Sequence, residues 1–243
     1  MFEVENRHWW YVGNHENFIK ILRRYQILKN GIKVLDAGCG TGGWLQVLKS
    51  KCDVNETGLD NREIALELAA TRSIKNLVCG DINKYKFTDS SFDLITCFDV
   101  IYHRDVNDSH AINNFYKSLK DNGFLLLTVP AFSFLYSKHD EVVHGKKRYT
   151  KKQIKILLEN NDFEIVKIFY CVSLLFPVAL IKRLADKLFA SKNKDHNEVE
   201  MPSNFINHLF LSVMRLENFL LKYISFPFGL SVVVLAKKIK SKS

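Results

Sequence analysis

This 243-residue chain has five cysteines, an odd number, and no two of them stand in C-x-x-C spacing. That argues against a disulfide framework and points to reduced thiols in a cytosolic protein. Long apolar runs are also missing. The longest, near Leu174–Ile181, falls far short of the roughly 18–20 residues that a membrane-spanning helix needs. The first twelve residues are aromatic and charged, so no secretory leader is expected there.

The bulk composition is ordinary, but the charge is unevenly spread. At 47% hydrophobic and 25% charged residues, the chain reads as one globular α/β domain with an embellishment. Separate cofactor and substrate domains would need more length. Residues 171–243 carry eleven Lys/Arg against five Asp/Glu, whereas residues 1–170 carry 24 against 21. In the basic third the cations lie among bulky aliphatics and Phe. That pattern suits an anionic membrane surface better than nucleic acid, with an ordinary solvated face as the alternative.

The chain is organised around Lys33-Val34-Leu35-Asp36-Ala37-Gly38-Cys39-Gly40-Thr41-Gly42-Gly43-Trp44-Leu45. A short apolar run ends in a carboxylate, a glycine-rich turn follows, and an apolar-periodic helix begins. That order opens a Rossmann-like sheet, and Gly38, Gly40 and Gly43 satisfy G-x-G-x-x-G. Asp36 would repel the pyrophosphate of a dinucleotide. It would attract the ammonium and sulfonium of S-adenosylmethionine (SAM). A nicotinamide-dependent oxidoreductase is thereby the weaker reading.

The spelling D-A-G-C-G-T-G resembles motif I of the class I SAM-dependent methyltransferases. The resemblance covers about residues 1–170 and 229–238. It implies an α/β Rossmann-like sheet of seven strands in the order 3-2-1-4-5-7-6, strand 7 antiparallel, with helices on both faces. The strands fall at Lys33–Asp36, Glu56–Asp60, Asn76–Cys79, Phe92–Phe98, Phe124–Val129, Phe163–Tyr170 and Leu230–Lys237. Helices are expected over Asn14–Leu28, Gly43–Lys49, Arg62–Thr71, Ala111–Leu119 and from the Thr150 cap to Leu158. Residues 1–243 form one domain, with an N-terminal lid over 1–28 and a helical insert over about 172–228. SAM is the implied cofactor, and no metal is expected.

The same resemblance distributes roles around the cofactor. Asp60, twenty residues after Gly40, takes the ribose hydroxyls, Asp81 the adenine amino group, and Ile82 packs on the ring. Tyr11, Asp36, Gly38, Cys39, Gly40, Trp44, Asn61 and Phe98 complete the cofactor set. Arg7-His8-Trp9-Trp10-Tyr11 resembles a lid over the cofactor, and a cap on an exposed sheet edge is the alternative. Tyr102 stands where a common family pattern has Glu, which in related quinone O-methyltransferases can help hold a metal. Asp140 and His144 stand four residues apart, but no third ligand is placed to complete a metal site.

Methyl transfer is direct displacement, so the protein has to align the acceptor and remove a proton if it is a hydroxyl. His103, just past strand four, is the expected base. Tyr102 and His139 position the acceptor, and His144 is a second available base. Ala131–Thr150 is too long for a passive connector and is expected to be functional. No Asn-Pro-Pro-Tyr motif marks a flipped base, so nucleic acid is not the expected acceptor. A small-molecule or lipid-linked acceptor, methylated on oxygen, is expected instead. A SAM-fold adaptor without catalysis is the remaining alternative, disfavoured by intact Asp36, Asp60 and Asp81.

The insert holds an apolar segment, Leu174–Phe189, a polar linker, Ser191–Ser203, and a helix over Asn204–Ser225. In that helix Asn204, His208, Ser212, Arg215, Asn218 and Lys222 make one narrow polar stripe. Everything else is nearly all apolar, so two buried faces are expected. Residues 172–225 are accordingly expected to meet a membrane surface, an identical subunit or a hydrophobic substrate.

Overall fold

Alternation along the central strands assigns neighbouring residues to opposite faces, and both faces find cover. In the computed structural model, which describes residues 1–188 and 201–239, Val34, Leu94 and Leu126 point to one layer and Leu35, Ile95 and Leu127 to the other. All six are buried. The strands are β1 (Ile32–Ala37), β2 (Val54–Asp60), β3 (Asn76–Cys79), β4 (Phe92–Phe98), β5 (Leu119–Pro130), β6 (Phe163–Cys171) and β7 (Ser231–Lys238). They form one sheet in the order β3-β2-β1-β4-β5-β7-β6. β7 runs antiparallel between β5 and β6, and the other pairs are parallel. This is the implied order.

The helices are α1 (Trp9–Arg24), α2 (Gly43–Lys49), α3 (Glu63–Thr71), α4 (Asp108–Ser118), α5 (Lys138–Val142), α6 (Lys151–Glu159), α7 (Phe176–Leu188) and α8 (Asn204–Leu220). Phe18 and Leu22 of α1, Trp44 and Leu45 of α2 and Met214 of α8 cover one face. Ile112 and Phe115 of α4 and Ile154 and Leu158 of α6 cover the other. Thr150 caps α6 as expected, in a reciprocal capping box with Gln153.

Three boundaries differ from expectation for local reasons. α1 starts at Trp9 rather than Asn14, because the His8 imidazole accepts a hydrogen bond from Trp10 N at 3.2 Å and serves as the cap. α4 starts at Asp108 because Asn107 caps it. β5 starts at Leu119, five residues early. The Asp121-Asn122-Gly123 turn exists, but as a bulge within the strand. Leu119 pairs with Phe92 and Phe124 with Leu94, with Asn122 left-handed at φ 63°.

Within the chain α8 buries one face, where polar groups make the contacts, and its other face, expected to meet a membrane surface, a subunit or a substrate, is open. Asn207 Oδ1 accepts from Trp9 N at 2.8 Å, and its Nδ2 donates to Arg7 O at 2.9 Å. Asn218 donates to Gly13 O at 2.9 Å, and Arg215 pairs with Glu16 at 2.7 Å. Phe205, Leu209, Leu216 and Phe219 stay exposed. Most of the Ser191–Ser203 linker lies outside the described residues. Among the described residues no helix is long and apolar enough to cross a membrane.

Glu217 fixes this arrangement. It is 1% exposed, and one carboxylate oxygen accepts from Ser173 N at 2.7 Å and Leu174 N at 2.8 Å, where β6 leads into α7. Glu217→Ala strands two buried amides and is expected to cost about 1–3 kcal/mol, read as a lower urea midpoint. Glu217→Gln keeps an acceptor and should lose less.

Candidate active site

The glycine turn is built from backbone that side chains disallow. Gly38 lies at φ 85°, and a Cβ there would sit 2.3 Å from Val100 Cγ2. Gly38 N and Cys39 N both donate to Leu59 O, at 2.7 and 3.0 Å. Gly40 N donates to Asp60 Oδ2 at 2.8 Å, and Arg62 N to Asp60 Oδ1 at 3.0 Å. Asp60 thus ties the end of β2 to the turn. Asp36 lies beneath, 3% exposed, and accepts from Thr96 Oγ1 at 2.7 Å. Burial pushes its pKa up to about 7. The charges of Asp60 and Glu5 add to this, and the Thr96 hydroxyl opposes it.

Trp44 belongs to this support. It is buried among Phe18, Phe98 and His15, and its Nε1 donates to Thr96 Oγ1 at 3.1 Å. Its reach to the turn runs through Thr96 and Asp36. The Cys39 thiol is buried, and burial raises its pKa strongly.

Residues 1–8 fold over the turn. Glu5 is buried, accepts from Thr41 Oγ1 at 2.5 Å and pairs with Arg72 at 2.5 Å. Arg72 also donates to Phe2 O at 2.9 Å and lies under the Phe2 ring. A Cβ on Gly43 would meet the Glu5 carboxyl carbon at 2.4 Å, so glycine there makes room for the strap. The tryptophans do not share this position. Trp9 packs edge-to-face on Phe210 of α8 at 5.2 Å and on Trp10 at 5.6 Å. Tyr11 faces inward instead. Burial and the charges of Glu5 and Asp99 raise its phenol to about 12.

Asp99, the first residue past β4, is the group that sequence reasoning missed. It is left-handed at φ 53°, its Oδ1 is sealed from water, and that oxygen has no hydrogen-bond partner. Burial raises its carboxyl to about 6, while the Thr128 hydroxyl and the Arg148 charge hold it down. On α1 above, Phe18 stacks on Phe98 at 4.3 Å, and between Tyr11 and Phe18 come Asn14, with a buried unpartnered Oδ1, and His15. Burial lowers His15 to about 4. Spacing of three, four and seven residues from Tyr11 was the available signal.

Tyr102 and His103 lie together, rings 4.4 Å apart. Burial, then the charges of Asp99 and Asp140, raise the Tyr102 phenol. Burial lowers the His103 pKa, against the pull of backbone carbonyls. The segment from Ala131 packs onto them: Lys146 N donates to Tyr102 O at 2.8 Å and Arg104 N to His144 O at 2.8 Å. Asp140 is 2% exposed and clasped by Arg148 at 2.8 Å, while His144 is exposed and left-handed. Those two therefore do not converge as metal ligands, and no metal-binding cluster occurs among the described residues. The His139 side chain lies outside the described residues. Asp81 caps its own turn through Asn83 N at 2.8 Å, Ile82 is buried, and Asn61 is exposed.

The chemistry of the residues around this turn fits SAM. Asp36, with no cation paired to it among the described residues, offers negative charge below a turn whose glycines let a ligand approach the backbone. A pyrophosphate would meet like charge there.

The comparisons agree. The model of the family described as "Methyltransferase domain" matches residues 9–168. An uncharacterized protein of Methanocaldococcus jannaschii is 31% identical over 170 residues, 69% of this chain and 68% of that protein. Phosphoethanolamine N-methyltransferase 3 of Arabidopsis thaliana is 34% identical over 128 residues, 50% of this chain and 26% of that enzyme. The chain thus spans about a quarter of that relative's length. The solved structure of Haemonchus contortus phosphoethanolamine N-methyltransferase 2, in complex with SAM, shares the fold at TM-score 0.63 and 20% identity. The match covers 99% of this chain and 58% of that one.

Asp99 makes a pH prediction. The fold raises its pKa from 3.8 to about 6, so the folded state binds the proton more tightly than the unfolded chain. Its contribution is fully present below about pH 4 and is lost as pH rises to about 6, a difference of about 2–3 kcal/mol. Asp99→Asn should remove that share of the decline in stability between these pH values, measured by denaturant unfolding.

Proposed function

The chain belongs to the methyltransferase-domain family, and from that premise we propose that it methylates a small-molecule or lipid-linked acceptor, on oxygen, using SAM. The observation that carries the reading is the placement of two carboxylates. Asp36 lies under the glycine turn at the end of β1, and Asp99 stands one strand away at the end of β4. The first suits a cationic cofactor, and the second is the candidate for orienting the acceptor.

SAM, when bound, supplies a methyl group on a good leaving group. The chain's own residues would do the rest. Asp60 accepts from the ribose, Asp81 and Ile82 meet the adenine, and Asp36 answers the positive charge. Tyr11 and residues 1–8 exclude water from above. His103 is the base: its lowered pKa keeps the imidazole neutral near pH 7 and ready to take the acceptor's proton. Tyr102 and Asp99 orient the acceptor. His144, exposed, is the weaker candidate. A second reading follows from Asp99 itself. A carboxylate with one oxygen lacking a hydrogen-bond partner also suits an amine acceptor, the class named in the phosphoethanolamine relatives.

Two measurements test the proposal. Because Asp36 titrates at about 7 in the absence of ligand, a cationic cofactor should bind more tightly as pH rises toward that value and level off above it. Calorimetry should show the rise for the wild type and a weaker, flat profile for Asp36→Asn. Tight NAD binding with no SAM binding would sink the assignment. Separately, His103→Gln should lower turnover by about 10²–10⁴-fold with SAM affinity nearly unchanged. A loss that falls on SAM affinity instead makes His103 a cofactor ligand.

A further inference from the structure

α8 is an amphipathic helix worn inside out. Its buried face carries Asn207, Met214, Glu217, Asn218 and Leu221. The opposite face, at steps of four, seven, eleven and fourteen residues, carries Phe205, Leu209, Ser212, Leu216 and Phe219. Phe205 is 77% exposed, and Leu209, Leu216 and Phe219 are about half exposed. From Phe205 to Phe219 the stripe is about 21 Å long. Nothing in folding requires this, since a helix of a solvated monomer turns such a stripe inward.

Among the described residues, the charges beside the stripe that lack an ion-pair partner are cations. Glu217 is the single acid of α8, and it is turned inward onto Ser173 and Leu174. Lys222 follows the helix and stands over the Phe219 ring at 5.7 Å. α1 runs alongside in the same direction, Trp9 meeting Asn207 and Gly13 meeting Asn218, and it ends in exposed Arg23 and Arg24. The one acid of α1 beside α8, Glu16, is already paired with Arg215. α7 repeats the pattern, with Val178 and Ile181 exposed and Lys182 next to them.

We propose that the outer face of α8 lies on an anionic phospholipid surface, its apolar stripe in the acyl boundary and Lys222, Arg23 and Arg24 at the headgroups. The charge decides the occupant. A second copy of this face would bring cations to cations with no exposed acid on α8 to answer them. Anionic headgroups complement them, and the apolar stripe has the in-plane length that an interfacial helix uses. The proposal does not depend on the methyl-transfer reading.

The test is flotation of the full chain with phosphatidylcholine vesicles, with and without phosphatidylglycerol. The chain should float with the phosphatidylglycerol vesicles, stay behind with phosphatidylcholine alone, and lose binding as salt is raised. Phe205→Ser with Phe219→Ser should cut the bound fraction about tenfold at an unchanged melting temperature. Lys222→Glu should weaken binding to the charged vesicles. Failure to float at low salt overturns the proposal, as does flotation that the double variant leaves intact. A concentration-dependent dimer that the double variant dissolves would make the face a self-interface and overturn it too.

Discussion

A buried carboxylate with no cation paired to it among the described residues governs how the centre of this molecule is put together. Asp36 is placed there by β1 and held by one hydroxyl, Thr96, which is itself held by the Trp44 indole. Trp44 in turn sits in the apolar layer between α1 and the sheet. Desolvating a lone acid in this way disfavours its charged form, and the nearby Asp60 and Glu5 make this worse. A cationic ligand reverses the sign of that cost. The electrostatics that disfavour ionisation of Asp36 are those that would favour a sulfonium beside it over a phosphate.

The strand order and the glycine turn were legible because they are written in local terms. Period-two apolar runs, an acid at a strand end and glycines at left-handed positions need no knowledge of distant residues. The same holds for the α6 cap. What escaped was decided by partners. α8 shows an unmistakable apolar face in sequence, but periodicity cannot say which side turns inward. Backbone groups at Arg7, Trp9 and Gly13 of the N-terminal segment drew Asn207 and Asn218 inward, while the rest of the polar stripe stayed exposed. The tryptophans followed α8, packing on Phe210 instead of closing the site.

At the site the pattern is similar. Asp60 was readable as an acid at the end of β2 from its twenty-residue spacing after Gly40, and the structure adds a bond from Gly40 N to its carboxylate that spacing did not announce. Asp99 was not readable as special, since its importance comes from a left-handed backbone and a sealed oxygen. Nothing in its sequence neighbours marks Glu5. Only the Gly43 gap, Thr41 and Arg72 together turn it into the latch of the N-terminal strap. Residues whose roles are fixed by chain neighbours announce themselves, and those fixed by long-range burial do not.

The bonds between α1 and α8 join residues about two hundred positions apart, 198 between Trp9 and Asn207 and 205 between Gly13 and Asn218. During synthesis the side of α1 that meets α8 therefore waits for its partner until some two hundred residues have followed, although its sheet-facing side can pack earlier on Trp44 and Phe98. Contacts that close so long a loop form late and at entropic cost. Trp9 and the α8-facing side of α1 are then surface that a nascent chain must shield until α8 arrives.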